Sequence, residues 1–234
     1  MLIKQVREEL KRCVDREYRN GAKRYFKERI ALHGVRSHRV RDISARYFSD
    51  VRRRSKQEIF KFCEKLLKSG MSEERAIAFD WAYRLRKSYE KNDFKRFESW
   101  LRNYVSNWAA CDDLCGHAFG SFIFQFPEFF PRLTVWAHST NRWFRRASAV
   151  VLIYSLRKRR MLSKALKIAD ILLMDEDDLV QKGYGWMLKE ASNQYPEKIF
   201  RYVMRHKDRM PRTALRYAIE KLSPRLKKRA MKRD

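Results

Sequence analysis

From Asp93 to Asp113 the chain reads DFKRFESWLRNYVSNWAACDD. Its large apolar residues recur every three or four positions, at Phe94, Phe97, Leu101, Tyr104, Val105 and Trp108. That spacing is typical of an amphipathic helix and differs from the alternation of a half-buried strand. Asp93 has the residue type that caps a helix start. The stretch therefore predicts helical structure, and the same spacing recurs along the chain.

The helix starts of this chain are regularly spaced. We expect helices to begin near Asp93, Pro127, Leu162 and Pro196, each followed by a second helix. A period of about 34 residues is that of stacked helical hairpins. The fold class we predict is all-α, with at least ten helices and no sheet. Such a chain forms a superhelical solenoid, whose basic concave face can cradle a duplex.

The composition indicates a polyanionic partner. The 234 residues include 55 Lys and Arg against 28 Asp and Glu, a net charge of +27. Nucleic acid is the first candidate and an anionic membrane surface the second. The chain lacks an apolar run long enough to span a bilayer, an apolar leader segment and a disulfide-dense cysteine pattern. We therefore expect a cytoplasmic or nucleoid-associated protein, a single domain over 1–234 with a basic tail at 225–234.

Several familiar site patterns are missing from the sequence. It has no phosphate-binding glycine loop, serine nucleophile elbow, helix-turn-helix spacing or zinc-finger spacing. Cys111 and Cys115, with His117 nearby, are spaced unlike a structural zinc site and fit one turn of a packed helix better. We therefore expect neither a metal nor a small-molecule cofactor.

Trp108 and Asp112 form the most suggestive pair. They lie four residues apart, so a continuous helix places them on one face. Asp113 is then turned about 100° further round the axis. Two plainer interpretations remain open: Asp112 caps a helix, and each tryptophan of the chain belongs to the core.

Together these tracts resemble the AlkD-like DNA glycosylases, which are HEAT-like repeat proteins of alkylation repair. The resemblance runs from about Ala22 to about Leu222. The tract NWAACDD resembles the family's tryptophan–x–x–x–aspartate motif at Trp108 and Asp112. An earlier tract, AKRYFKERIALHGVRSHRVRDIS, has Tyr25, Gly34 and Arg41 at positions that the family marks.

Two later tracts extend the resemblance. In NRWFRRASAV, Arg146 takes the place of the family's arginine that contacts DNA. In QKGYGWMLKE, Trp186 takes the place of the family's second active-site tryptophan. The resemblance thus implies catalytic roles for Asp112, Trp108 and Trp186. The DNA-binding residues it implies are Arg146, Arg145, Trp143, Tyr25, Arg41, Lys182 and Lys189, the last standing where the family has arginine.

The function that the resemblance implies is excision of N3- or N7-alkylated purines from duplex DNA by a monomeric glycosylase. The carboxylate would stabilise an oxocarbenium-like sugar, and the indoles would flank the cationic nucleotide. Two alternatives come from other classes. One is a non-catalytic binder of damaged, branched or bent DNA, and the other is a helical-repeat scaffold for an acidic protein or RNA.

Overall fold

A computed structural model describes residues 2–26 and 28–232. Throughout these ranges the regular structure is helical, with no strand and a single isolated bridge between Ala31 and Met71. The all-α prediction is confirmed. None of the helices described is long and apolar enough to cross a bilayer.

The chain divides into two compact units, one ending at Leu114 and the other beginning at Cys115. The helices of the first unit are α1 (Leu2–Arg12), α2 (Arg16–Tyr25), α3 (Ser37–Val51), α4 (Lys56–Leu67), α5 (Ser72–Arg84), α6 (Asp93–Tyr104) and α7 (Trp108–Asp113). A short 3₁₀ turn, Arg86–Ser88, follows α5.

A π-helical turn over Leu114–Phe119 leads from α7 into the second unit. The helices there are α8 (Gly120–Gln125), α9 (Phe130–Ala137), α10 (Arg142–Arg157), α11 (Leu162–Leu172), α12 (Asp178–Ser192), α13 (Pro196–His206), α14 (Arg212–Ile219) and α15 (Pro224–Met231). A 3₁₀ turn, Pro127–Phe129, precedes α9.

All four predicted helix starts are confirmed. Helices α6, α11 and α13 begin at Asp93, Leu162 and Pro196, and Pro127 opens the 3₁₀ turn that runs into α9. Each is followed by its partner helix. The apolar spacing from Phe94 to Trp108 spans two helices, because α6 stops at Tyr104 and Trp108 begins a new helix.

Side-chain caps explain where many helices start. Asp15 accepts a hydrogen bond from the Tyr18 amide at 2.9 Å, which caps α2. Ser55 and Glu58 form a reciprocal capping box on α4. Each such cap satisfies amides that would otherwise lack a partner, stabilising the helix by about 0.5–2 kcal/mol. Asp93 proved to be the first residue of α6 rather than its cap, which is Asn92.

Within each unit, alternate helices lie side by side. Helix α5 packs on α3 and α7 in the first unit, and α12 packs on α10 and α14 in the second. This neighbour-to-neighbour packing is what a repeat of helical hairpins produces. It leaves α10 and α12 almost wholly buried along their inner faces.

The predicted basic tail is mostly a packed helix. Ala230 of α15 is buried, and Arg229 lies over the ring of Phe200 at 5.2 Å. The Lys207 ammonium donates to the Lys232 carbonyl at 3.1 Å. The last two residues of the predicted tail, 233 and 234, lie outside the described residues.

Candidate active site

Helix α7 carries the tryptophan–aspartate pair. Its N-cap is Asn107, whose side chain accepts a hydrogen bond from the Ala110 amide at 2.9 Å. Trp108 is the first residue of the helix, and Asp112 lies one turn later. Both side chains are half-buried. Asp112 is therefore inside the helix and does not cap it, and the pair shares one face as the spacing predicted.

Asp113 lies beside α5, close to the buried guanidinium of Arg75. That guanidinium donates to the Ser72 hydroxyl at 3.3 Å and to the Tyr104 carbonyl at 3.5 Å. Burial lowers the pKa of Arg75, and the carboxylates of Asp113 and Glu73 oppose the shift. Asp113 thus helps to compensate a buried cation.

Three aromatic rings meet at the start of α7. Phe26 stacks on the indole of Trp108, with ring centres 5.4 Å apart and an angle of 17° between the planes. Tyr25 meets the same indole edge-on at 5.8 Å, and its side chain is 72% exposed. The structure therefore brings two residues of the sequence prediction, Tyr25 and Trp108, into contact one turn from Asp112. We call Tyr25, Phe26 and Trp108 the aromatic cluster.

The loop that follows the aromatic cluster is held by Glu73, at the start of α5. Its carboxylate accepts hydrogen bonds from the amides of His33 at 2.9 Å, Gly34 at 2.7 Å and Val35 at 3.0 Å. Gly34 has φ of +96°, and a Cβ there would meet the Arg19 Cβ at 2.5 Å. This position therefore requires glycine on both counts.

A second buried carboxylate, Glu74, supports the same loop. It accepts from Arg7 Nε at 2.9 Å and lies 3.1 Å from His33 Nε2. Burial acts to raise its pKa, but hydrogen bonds from His33, Arg7 and Ser69 leave the pKa below its ordinary value. Charged hydrogen bonds of this kind fix the loop firmly.

In the second unit, Trp186 is oriented by a carboxylate. Its indole Nε1 donates to Glu190 Oε1 at 3.0 Å, one turn along α12. Arg157 of α10 donates two hydrogen bonds to the same carboxylate, at 2.9 and 3.0 Å. The hydrogen bonds from Arg157 and Trp186 lower the pKa of Glu190, and the pair raises the pKa of Arg157.

Arg146 is buried against α12, with 5% of its surface exposed. Its guanidinium donates to the Leu179 carbonyl. A Cβ on Gly183 would meet the Arg146 Cγ at 2.9 Å, so the glycine makes room for the arginine stem. The sequence tracts around Arg146 and Trp186 are thus packed against each other through Gly183.

The neighbours of Arg146 are also engaged within the protein. Arg145 binds Asp175 at 2.6 Å and donates to the carbonyls of Ser139 and Thr140. Trp143 is buried at 8% exposure. Arg145 therefore ties the loop before α10 to the loop between α11 and α12.

The remaining predicted DNA contacts are more accessible. Lys182 pairs with Asp178 at 2.9 Å and Lys189 with Glu220 at 2.8 Å, both on half-buried side chains. Arg41 is exposed in the first half of α3.

The cysteines do not assemble a metal site in the described part of the chain. Cys111 and Cys115 are buried and His117 is exposed. No group of three His, Cys, Asp or Glu side chains that could hold a metal ion occurs among the described residues.

Sequence reasoning missed Phe26, Glu73, Glu190 and Arg157. The four-residue spacing of Trp186 and Glu190 was a usable signal, because it puts both on one helical face. Glu73 gave no such signal, since its partners lie about 40 residues earlier in the chain.

Comparison with known proteins identifies a shared fold and a family. A solved structure described as a predicted DNA alkylation repair enzyme from Enterococcus faecalis superimposes with a TM-score of 0.80, over 90% of this chain and 97% of that one. At 16% sequence identity, this likeness shows a shared helical-repeat fold. No curated protein sequence matches the chain. The sequence model of the DNA alkylation repair enzyme family matches residues 6–222, which is nearly the whole chain. The chain therefore belongs to the DNA alkylation repair enzyme family.

Proposed function

We propose that this protein is a monofunctional DNA glycosylase that releases cationic N3- and N7-alkylated purines from duplex DNA. The observation that carries the proposal is the position of Asp112 one turn along α7 from Trp108, whose indole packs in the aromatic cluster. A carboxylate close to partly accessible aromatic rings suits a substrate that carries positive charge. The chain belongs to the DNA alkylation repair enzyme family, which supports alkylated DNA as the proposed substrate.

The proposed reaction breaks the bond between C1′ of the deoxyribose and the alkylated nitrogen. The bonding pair leaves with the base, which departs as a neutral molecule because it was cationic beforehand. The sugar becomes an oxocarbenium-like ion, and the Asp112 carboxylate stabilises its positive charge. Water then adds to C1′ and gives up a proton, with Asp112 as the orienting acceptor. No strong general acid is needed for this leaving group.

The indoles have a matching role. The face of an indole attracts a cation, contributing about 0.5–2 kcal/mol according to how far the pair is desolvated. We propose that Trp108 does this from α7 and that Trp186 is the second tryptophan of the reaction. Phe26 and Glu190 hold those two rings by stacking and by a hydrogen bond.

Duplex DNA is the proposed partner, contacted through its phosphates. Arg41 and Tyr25 are accessible for this role, as are Lys182 and Lys189 once they exchange a carboxylate for a phosphate. We propose that Arg145, Arg146 and Trp143 act on DNA by shaping the segments around α10, since their side chains are engaged inside the protein.

The decisive test compares Asp112→Asn with Asp113→Asn. Asparagine keeps the shape of aspartate but removes the charge, so Asp112→Asn should lower the single-turnover rate of methylpurine release by about 100-fold or more. Asp113→Asn should excise at close to the wild-type rate but unfold more readily, because Arg75 loses part of its compensating charge. Release is followed by chromatography of the freed base.

Circular dichroism and DNA binding serve as controls for both variants. The assignment is wrong if Asp113→Asn is the inactive variant. Should the wild-type protein bind methylated duplex yet release no base, the protein is a non-catalytic binder of alkylated DNA.

A further inference from the structure

A second basic site lies in the first unit, away from the tryptophan–aspartate pair. It is a cavity of about 500 Å³ between the end of α1, the start of α2 and the loop before α3. Lys11, Arg16 and Arg19 supply its charge, and Val14, Leu32 and Met71 supply apolar surface. We call this cavity the α2 cradle. Its volume falls within the range of about 300–1,000 Å³ that small-molecule sites occupy.

The charges of the α2 cradle are uncompensated. No acidic side chain lines it, and no carboxylate of the described residues lies within ion-pair distance of Lys11, Arg16 or Arg19. The nearby Asp15 is already engaged, because it caps α2 and pairs with Arg36 at 2.8 Å. Three neighbouring cations repel one another, so an anion in the cavity is favoured electrostatically.

Two walls of the cradle are held in place. The stem of Arg19 packs directly on Gly34, where a Cβ would approach its Cβ to 2.5 Å. The His33 ring, which also lines the cavity, is held by Glu74 at 3.1 Å from its Nε2. The cavity therefore keeps its shape without a ligand, which reduces the entropic cost of binding one.

We propose that the α2 cradle binds the sugar–phosphate backbone of the duplex, at a point removed from the alkylated nucleotide. A deoxyribose between two phosphates offers an apolar face flanked by negative charges. The cradle offers complementary groups, because cationic side chains and the apolar side chains of Leu32 and Met71 line the same cavity. The inference extends the proposed function and rests on duplex DNA being the ligand.

Helix α2 sets the distance between the cradle and the lesion. Arg16 begins the helix and Tyr25, in the aromatic cluster, ends it. Ten helical residues span about 14 Å, which corresponds to about four base pairs of duplex. The phosphate in the cradle should therefore lie within about four base pairs of the alkylated base.

The test uses the double variant Lys11→Gln/Arg16→Gln, which leaves the Arg19 stem in place. Its matched control is Lys61→Gln/Lys68→Gln, which removes the same charge from exposed side chains of α4 and its C-cap. Affinity for a lesion-bearing duplex is measured against salt. The slope of log affinity on log salt should fall by about 0.9 for each phosphate that the variant no longer neutralises. The control pair should leave the slope nearly unchanged.

A scan with single methylphosphonates, which are neutral, locates the bound phosphate. One position within about four base pairs of the lesion should weaken binding to wild type and have no effect on the cradle variant. Equal decreases in affinity for both proteins at every position would overturn the proposal. So would a decrease in the control variant as large as that in the cradle variant.

Two competition experiments distinguish a duplex phosphate from a free small anion as the ligand of the cradle. Inorganic phosphate or a deoxynucleoside monophosphate that competes with duplex for the cradle at low concentration would mean a site for small anions, and would also overturn the proposal. All readouts are of binding, so a wild-type protein that binds but does not excise would defeat the proposed activity and leave this test intact.

Discussion

Glu190 orients the indole of Trp186 by accepting one hydrogen bond from it, and Arg157 in turn holds the Glu190 carboxylate. Glu190→Gln keeps an acceptor for the Trp186 Nε1–H, whereas Glu190→Ala removes it. We expect Glu190→Ala to shift the indole Nε1–H resonance toward that of a free indole, and Glu190→Gln to shift it less. The resonance is assigned with Trp186→Phe. Excision should fall more in Glu190→Ala than in Glu190→Gln, and the reverse order would contradict a positioning role.

Lowering the pH tests the same hydrogen bond between Trp186 and Glu190. Because its partners lower the pKa of Glu190 below the usual 4.5, its contribution is complete above pH 4.5 and is lost as the pH falls through the lowered value. The Trp186 resonance should therefore stay constant from pH 7 to 5 and move only below about 4.5. A transition near neutral pH would mean that another group holds the ring.

For single residues, the sequence predicted which side chains share a helix face better than it predicted which side chains contact each other. Spacing placed Trp108 and Asp112 on one face, and the structure confirms it. It gave no reason to expect Phe26 against Trp108, because a contact across 82 residues leaves no periodic signal. The burial of Arg146 was also unforeseen, since charge is visible in a sequence and packing against Gly183 is not.

Among the elements, the loop between α2 and α3 depends most on a single residue elsewhere. Glu73→Ala would leave three amides without their acceptor, and two of those bonds are buried. The substitution should lower the free energy of unfolding by about 3 kcal/mol or more, since hydrogen bonds to charged groups contribute about 1.5–3 kcal/mol each. Thermal or urea unfolding measures it. Glu73→Gln should cost less, because the amide oxygen still accepts.

The matched control is Glu176→Ala, at an exposed position without an ion pair in the described structure. It should change stability by less than about 0.5 kcal/mol. If both substitutions lower the free energy of unfolding equally, the three amides find other partners and Glu73 is dispensable.

Helix boundaries were predictable because caps and periodicity are local signals. The hydrogen bonds from a distant loop to Glu73 of α5 were not predictable in this way.

For the whole molecule, a charge of +27 predicts a steep response to salt. The affinity of a protein that contacts six to ten phosphates falls by about 10³–10⁵ between 50 and 200 mM salt. We expect duplex DNA of unrelated sequences to show that decrease in fluorescence anisotropy titrations. A flat response would exclude phosphate contact as the basis of binding, and a preference for duplex RNA would favour the scaffold alternative.

At this scale the repeat period predicted the fold class and the composition predicted the kind of partner. The concave basic face remains a prediction. The division at Leu114 was not foreseen, because the helical spacing continues through it with no linker of proline, glycine or serine.

The hydrogen bonds from the loop at His33–Val35 to Glu73 affect the order in which the nascent chain folds. A ribosome adds about 5–20 residues per second, so about 2–8 s separate the synthesis of Gly34 from that of Glu73. Until α5 emerges, the loop amides have only water to bind. Trp108 emerges later still, and the ring of Phe26 has no indole to stack on before then. The aromatic cluster is therefore a late product of translation, completed only when the whole first unit has left the exit tunnel.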